Sequence, residues 1–184
     1  MKATTILMDE HRVIERVIAA LERATQRLER GDPIEPRFFL DAAEFIKGFA
    51  DGCHHQKEEG VLFKAMTAAG MPTNQGPLAV MLHEHEAGRA YTSGMREAAE
   101  QLQAGDEGAA ARVIDNARGY AALLREHIKK EDNVLFPMAE NIIPAAQQEG
   151  VEGDFATLGQ AEVSEGVQDK YLALADKLEQ EVMG

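Results

Sequence analysis

His54-His55-Gln56-Lys57-Glu58-Glu59-Gly60-Val61-Leu62-Phe63 returns 73 residues later as His127-Ile128-Lys129-Lys130-Glu131-Asp132-Asn133-Val134-Leu135-Phe136. In both copies a histidine stands four residues before a glutamate, and a Leu-Phe pair closes the stretch. A shorter element precedes each copy: Asp9-Glu10-His11-Arg12, with His11 43 residues before His54, and His83-Glu84-His85-Glu86, with His85 42 residues before His127. Sliding the chain by 73 or 74 residues superposes His11 on His85, His54 on His127 and Glu58 on Glu131. Self-similarity at one offset marks two structurally equivalent halves, although two copies are too few for a solenoid.

The spacing within each copy has a chemical meaning if the backbone is helical. Residues four apart on an α-helix lie about 40° apart around the axis and about 6 Å along it, so His54 with Glu58, and His127 with Glu131, project from one face. The apolar pattern supports helices throughout. Ile6, Val13, Ile14, Val17, Ile18, Leu21 and Leu28 share a stripe with His11, which predicts one amphipathic helix over residues 5–30, with Thr4 or Thr5 as its cap. After the turn Gly31-Asp32-Pro33-Ile34-Glu35, Pro36 suits the first position of a second helix that carries Phe38, Phe39, Phe45, Ile46, Phe49, His54 and Glu58 and stops near Gly70-Met71-Pro72. A third is expected over 76–103, and a fourth from about Ala109 to Pro137 or Asn141. No alternating β pattern competes. Long helices with short links predict an all-α fold, an antiparallel up-down-up-down four-helix bundle over residues 1–143. In residues 144–184 we expect an irregular Gly- and Gln-rich segment to about Phe155, then a polar helix over 157–182 packed on or beside the bundle as a cap or partner surface.

Composition bounds the function. A chain of 184 residues fits one domain able to bury roughly 70% of its unfolded surface. With 32 acidic against 19 basic residues the net charge is −13, which disfavours a protein that relies on nucleic-acid phosphates for affinity but suits metal cations. The one cysteine, Cys53, excludes an intramolecular disulfide and any Cys-rich zinc or iron–sulfur site, and fits a reducing compartment. Neither a signal-peptide core nor a run of about 18 apolar residues is present, so the expectation is a cytoplasmic protein without a membrane partner. If His11 and His85 also point inward, the core gathers four imidazoles and two carboxylates, a donor set that iron, manganese and zinc all accept.

These residues resemble the hemerythrin-like family of HHE cation-binding domains. The likeness covers roughly residues 5–140 and rests on Glu10-His11, on the two H-x-x-x-E boxes followed by Leu-Phe, and on Glu84-His85 followed by Arg89. It implies a four-helix bundle around a non-haem di-iron centre, two iron ions with an oxo or hydroxo bridge, for which zinc or manganese are possible substitutes. Carried over residue by residue, it implies His11, His54, Glu58, His85, His127 and Glu131 as metal ligands, with Glu58 and Glu131 bridging. The chain departs from the family's oxygen carriers, which place two histidines four residues apart on the third helix. Here Met81 and Arg89 flank His85 at those positions, and His83 lies about 200° around the helix from it. The expected site therefore has four histidines and two glutamates, with open coordination that favours redox chemistry or small-ligand transfer.

Each residue also has a plainer reading. A lone inward histidine is more often a hydrogen-bonded core residue, and it is the convergence of six positions that argues for metal. His55 and Glu59 lie about 100° around from His54 and Glu58 and are expected to be outer-layer or solvated; a register shift of one would make them the ligands instead. His83 is expected on the surface, Cys53 as a small buried side chain, and Tyr91 and Tyr120 as packing residues. The function expected is binding or reduction of dioxygen, nitric oxide or peroxide, in stress handling or sensing. Two alternatives stand beside it: an iron donor for repair of damaged iron centres, and a metal-stabilised interaction module whose C-terminal helix binds a partner or a second copy.

Overall fold

The computed structural model describes residues 2–183, and among these every regular element is helical. The elements are α1 (Ala3–Arg30), α2 (Pro36–Phe45), two π-helical segments (Ile46–His55 and Glu58–Leu62), α3 (Phe63–Ala68), α4 (Gly76–Gln103), a 3-10 turn (Glu107–Ala109), α5 (Ala110–Lys130), a third π segment (Glu131–Leu135), α6 (Phe136–Ile142), α7 (Ala145–Ser164) and α8 (Val167–Met183). Helical structure is thus nearly unbroken from Pro36 to Ala68 and from Ala110 to Ile142, as the periodicity predicts. Gly31 stops α1 in the left-handed conformation at φ 72°, and Pro36 opens α2. The first helix starts earlier than expected, after Lys2, and Thr4 bonds Glu140 through its hydroxyl instead of capping.

Two corrections concern the C-terminal part. The stretch 144–155, expected to be irregular, is the first half of α7; and the expected single helix over 157–182 is divided at Gly166, φ 68°, into α7 and α8. Sequence periodicity missed α7 because almost nothing on it is apolar on one side: Phe155 is its one buried residue. The eighth helix does carry a stripe, Tyr171, Ala175, Leu178 and Val182, and lays it against α1 and α2. Among the described residues no helix is long and apolar enough to cross a membrane.

Packing divides the bundle into layers. One apolar cluster holds Ile14, Ile18, Leu21, Phe39, Phe45, Met95, Val113 and Leu124; the other holds Leu7, Leu62, Phe63, Met66, Met81, Leu135 and Phe136. On each of the four long helical stretches the expected ligand residues fall between the two clusters, so a buried polar layer is closed above and below by hydrocarbon.

Candidate metal centre

His11, His54, Glu58, His85, His127 and Glu131 all meet in this layer, each 1% exposed or less. His11 comes from α1, His54 and Glu58 from the stretch after α2, His85 from α4, and His127 and Glu131 from α5 and the turn that follows it. A seventh residue joins them. His55, expected to lie outside the ligand set, is 3% exposed, and its ring stacks on that of His85 at 3.9 Å between centroids. The cause is local backbone: Ile46–His55 is wound as a π-helix, with i→i+5 hydrogen bonds. The wider turn reduces the rotation per residue below the 100° of an α-helix, so His54 and His55 both face the interior. No feature of a 3.6-residue pattern announces this. The layer therefore holds a fifth imidazole beside the four expected ones.

The donor atoms form two groups. One contains His11, His54, Glu58 and Glu131, the other His55, Glu58, His85 and His127, with donor atoms inside each group within 4.8 Å of one another. Both carboxylates are shared. Glu58 turns one oxygen to His54 Nε2 (3.5 Å) and the other to His85 Nε2 (3.3 Å); Glu131 turns one to His11 Nε2 and one to His127 Nε2, both at 3.2 Å.

An outer layer fixes every imidazole. His11, His54, His55, His85 and His127 each place Nδ1 against a carboxylate, respectively Asp132 (2.7 Å), Glu10 (3.0 Å), Asp51 (2.9 Å), Glu59 (2.7 Å) and Glu84 (2.9 Å). An ionised carboxylate only accepts, so Nδ1–H is the donor and each Nε2 points inward. Carboxylate–imidazole pairs of this kind orient histidines toward metals and raise their basicity. Cations back the carboxylates: Arg12 on Asp132, Lys57 on Glu10, Arg89 on Glu59 and Lys130 on Glu84. Phe136 stacks on His11 and Phe63 on His85, at 5.5 and 5.9 Å between centroids.

The halves obey one approximate two-fold. Glu10–His54 corresponds to Glu84–His127, Asp132–His11 to Glu59–His85, and Lys57 to Lys130, all at offsets of 73 or 74. The outer-layer residues were therefore detectable as repeated acidic and basic positions, a signal weaker than the histidines because surface helices are rich in such residues. His55 with Asp51 is the exception, for their equivalents are Ile128 and Leu124.

The inner atoms lack partners of their own. Nε2 of His11, His54 and His55 and all four oxygens of Glu58 and Glu131 are buried without a hydrogen bond among the described residues, and Nε2 of His85 and His127 face each other at 3.2 Å. Left to protein groups alone, the layer holds its charge with protons. Burial opposes a charged His11, yet Asp132 and Glu131 push its pKa up to about 9; burial likewise opposes His127, which Glu131 and Glu84 raise to about 10. His55, buried and facing three other imidazoles, is held well below the usual histidine range and keeps its lone pair. Orphaned donors gathered in two groups fit bound cations, which would displace those protons.

A hemerythrin HHE cation-binding domain matches residues 2–139. The chain belongs to the hemerythrin HHE cation-binding family. The stretch matched holds every residue of the buried layer and of its outer carboxylates, and ends before α7. An uncharacterized protein of Mycobacterium tuberculosis (strain H37Rv) and another of Mycobacterium bovis are each 26% identical to this HHE chain over 141 residues, 77% of it. The chain spans about half, 54%, of the length of these curated relatives. No solved structure gives a significant match.

The remaining expectations concern residues near the HHE centre. Glu59 lies in the outer layer, and His83 is exposed on α4. Cys53 is buried, donates its thiol to Gly48 O at 3.3 Å, and has its pKa pushed up to about 11 by burial. Tyr91 packs over Gly119, and Tyr120 is buried with no partner for its hydroxyl among the described residues.

Proposed function

We propose that five histidines and two carboxylates hold a non-haem di-iron centre in an up-down-up-down four-helix bundle, and that this centre binds or reduces dioxygen, nitric oxide or peroxide. The observation that carries the reading is the pair of shared carboxylates, since Glu58 and Glu131 each present one oxygen to either donor group. Imidazole with bridging carboxylate is the donor set of dinuclear iron in bundles. His55, His85 and His127 would take one metal, and His11 and His54 the other, ligands Glu58 and Glu131 being common to both. The pair, when bound, supplies redox equivalents and an open coordination position to a small ligand.

The chain's own groups do the rest. With two imidazoles against three, the His11–His54 position has fewer protein donors and is the natural place for an incoming ligand. The five Nδ1–carboxylate pairs hold the rings against rotation. Leu7, Phe63, Phe136 and Met81 close one side of the layer with hydrocarbon and exclude bulk water.

Metal content and the visible spectrum of aerobically purified protein test the proposal. About two irons per chain, with near-ultraviolet bands of a bridged ferric pair that change on adding azide, nitric oxide or peroxide, is the expected result. One zinc per chain, or no visible band after anaerobic iron loading, would overturn it and leave a metal-stabilised helical module.

A further inference from the structure

The two-fold supplies an internal control. Lys57 and Lys130 are equivalent lysines, each bonded to the equivalent glutamate, Glu10 or Glu84, that holds an equivalent histidine, His54 or His127. Their surroundings differ sharply. The Lys130 side chain is 41% exposed, whereas that of Lys57 is 2% exposed. What covers Lys57 is α7. Its ammonium donates to Glu10 at 2.6 Å and to Glu162 of α7 at 2.8 Å. A continuous polar chain thus runs from α7 to a candidate ligand: Glu162, Lys57, Glu10, His54.

Phe155 and Glu162, two turns apart, mark the face that α7 turns inward. Phe155 is 1% exposed and enters the apolar cluster of Leu7, Leu62 and Phe63, while the helix packs against α1 and the π segment Glu58–Leu62 that begins with a bridging carboxylate. The helix is also weak by construction. Gly150, Gly153 and Gly159 lie within it, and a Cβ at any of them would meet nothing within 4 Å. No packing requirement explains these glycines, and each disfavours the helix relative to alanine. An element of marginal stability, with Phe155 as its one buried residue, is the kind that opens locally.

We propose that α7 is a removable cover over the His11–His54 position, with Glu162 as its positioning residue, acting on His54 through Lys57 and Glu10. The proposal rests on the two-metal reading above. With Glu162 in place, Lys57 is shared between two carboxylates and draws less charge from Glu10, which keeps a stronger hold on the Nδ1–H of His54. Without it, Lys57 polarises Glu10 more strongly, the imidazole becomes a poorer donor, and α7 loses its latch. The three-histidine position takes its cations, Lys130 and Arg89, from α5 and α4, so the change reaches it less.

The test uses the full chain loaded anaerobically with ferrous iron and challenged with a coloured ferrous chelator. Wild-type protein should release two ions in two phases. In Glu162→Gln one phase should accelerate about tenfold or more while the other changes much less, outer-layer changes at metal sites being worth 10–100-fold. Gly153→Ala combined with Gly159→Ala should slow that same phase. Hydrogen exchange of residues 145–164 should be slower in loaded than in metal-free protein. Unchanged release in Glu162→Gln, equal acceleration of both phases, or exchange of α7 indifferent to metal would each overturn the proposal while sparing the two-metal reading. A wild-type chain that takes up fewer than two ions would defeat both, and stoichiometry measured first separates the cases.

Discussion

His55 and Tyr120 show how much a single buried polar atom decides. The first has its Nδ1 bound by Asp51 and, among the described residues, no hydrogen bond at Nε2, so its ring is placed to serve a cation. His55→Ala should weaken one metal position by at least tenfold and leave roughly one tightly held ion per chain, a result that metal analysis after dialysis would reveal. Two ions retained with wild-type affinity would return His55 to the outer layer. Tyr120 presents the opposite case. Its hydroxyl is buried without a partner, and burial raises its pKa well above the usual phenol range. Removing an unsatisfied buried hydroxyl is neutral or favourable, so Tyr120→Phe should leave stability unchanged or raise it by about 1 kcal/mol in denaturant unfolding. A loss of more than that would mean the oxygen has a partner.

At the scale of elements, the π segments explain both what the chain disclosed and what it hid. The four-residue spacing of His54 with Glu58, and of His127 with Glu131, made the ligand faces legible because α-helical and π-helical turns both bring such pairs to one side. The widening at Ile46–His55 was not legible, since the choice between i→i+4 and i→i+5 bonding depends on what packs against the helix. Part of that packing is Tyr171 of α8. Its ring sits on Gly48, where an added Cβ would fall 1.7 Å from the tyrosine oxygen, too close for any side chain but hydrogen. Gly48→Ala must therefore push Tyr171 from its place against Phe45 and Phe49. The expected cost is about 1–3 kcal/mol, the range for overpacked cores, with faster hydrogen exchange confined first to α8. Stability equal to wild type would show that α8 yields without loss. The other C-terminal helix was illegible for a different reason: on α7 only Phe155 is buried, too sparse a face for any periodic signal.

For the molecule as a whole, the central layer concentrates unpartnered polarity inside an otherwise apolar interior. Glu58 and Glu131, both fully buried, cannot be accommodated cheaply without positive charge beside them. Metal binding and stability should then be linked. Free metal at 100 times its dissociation constant adds about 2.7 kcal/mol per site. Stripping metal with a chelator should accordingly lower Tm by roughly 5 °C or more, at the 2–4 °C per kcal/mol of a chain this size. A midpoint indifferent to chelation would mean the layer is satisfied by protons alone. That the bundle and six of the seven buried histidines and glutamates of this layer could be read in advance follows from duplication, for each half vouched for the other. The seventh had no twin, and that is why it escaped.

The missing twin has a further consequence. Where Asp51 and His55 stand in one half, Leu124 and Ile128 stand in the other, so the two positions differ in depth as wells for a cation and should fill in order rather than at random. Titrated with one equivalent of metal, the protein should give a single homogeneous environment, the three-histidine one. With the second equivalent supplied as a different ion, a defined heterometallic pair should form without scrambling. A cage of strict two-fold symmetry would offer no such order, and its half-loaded state would be a statistical mixture.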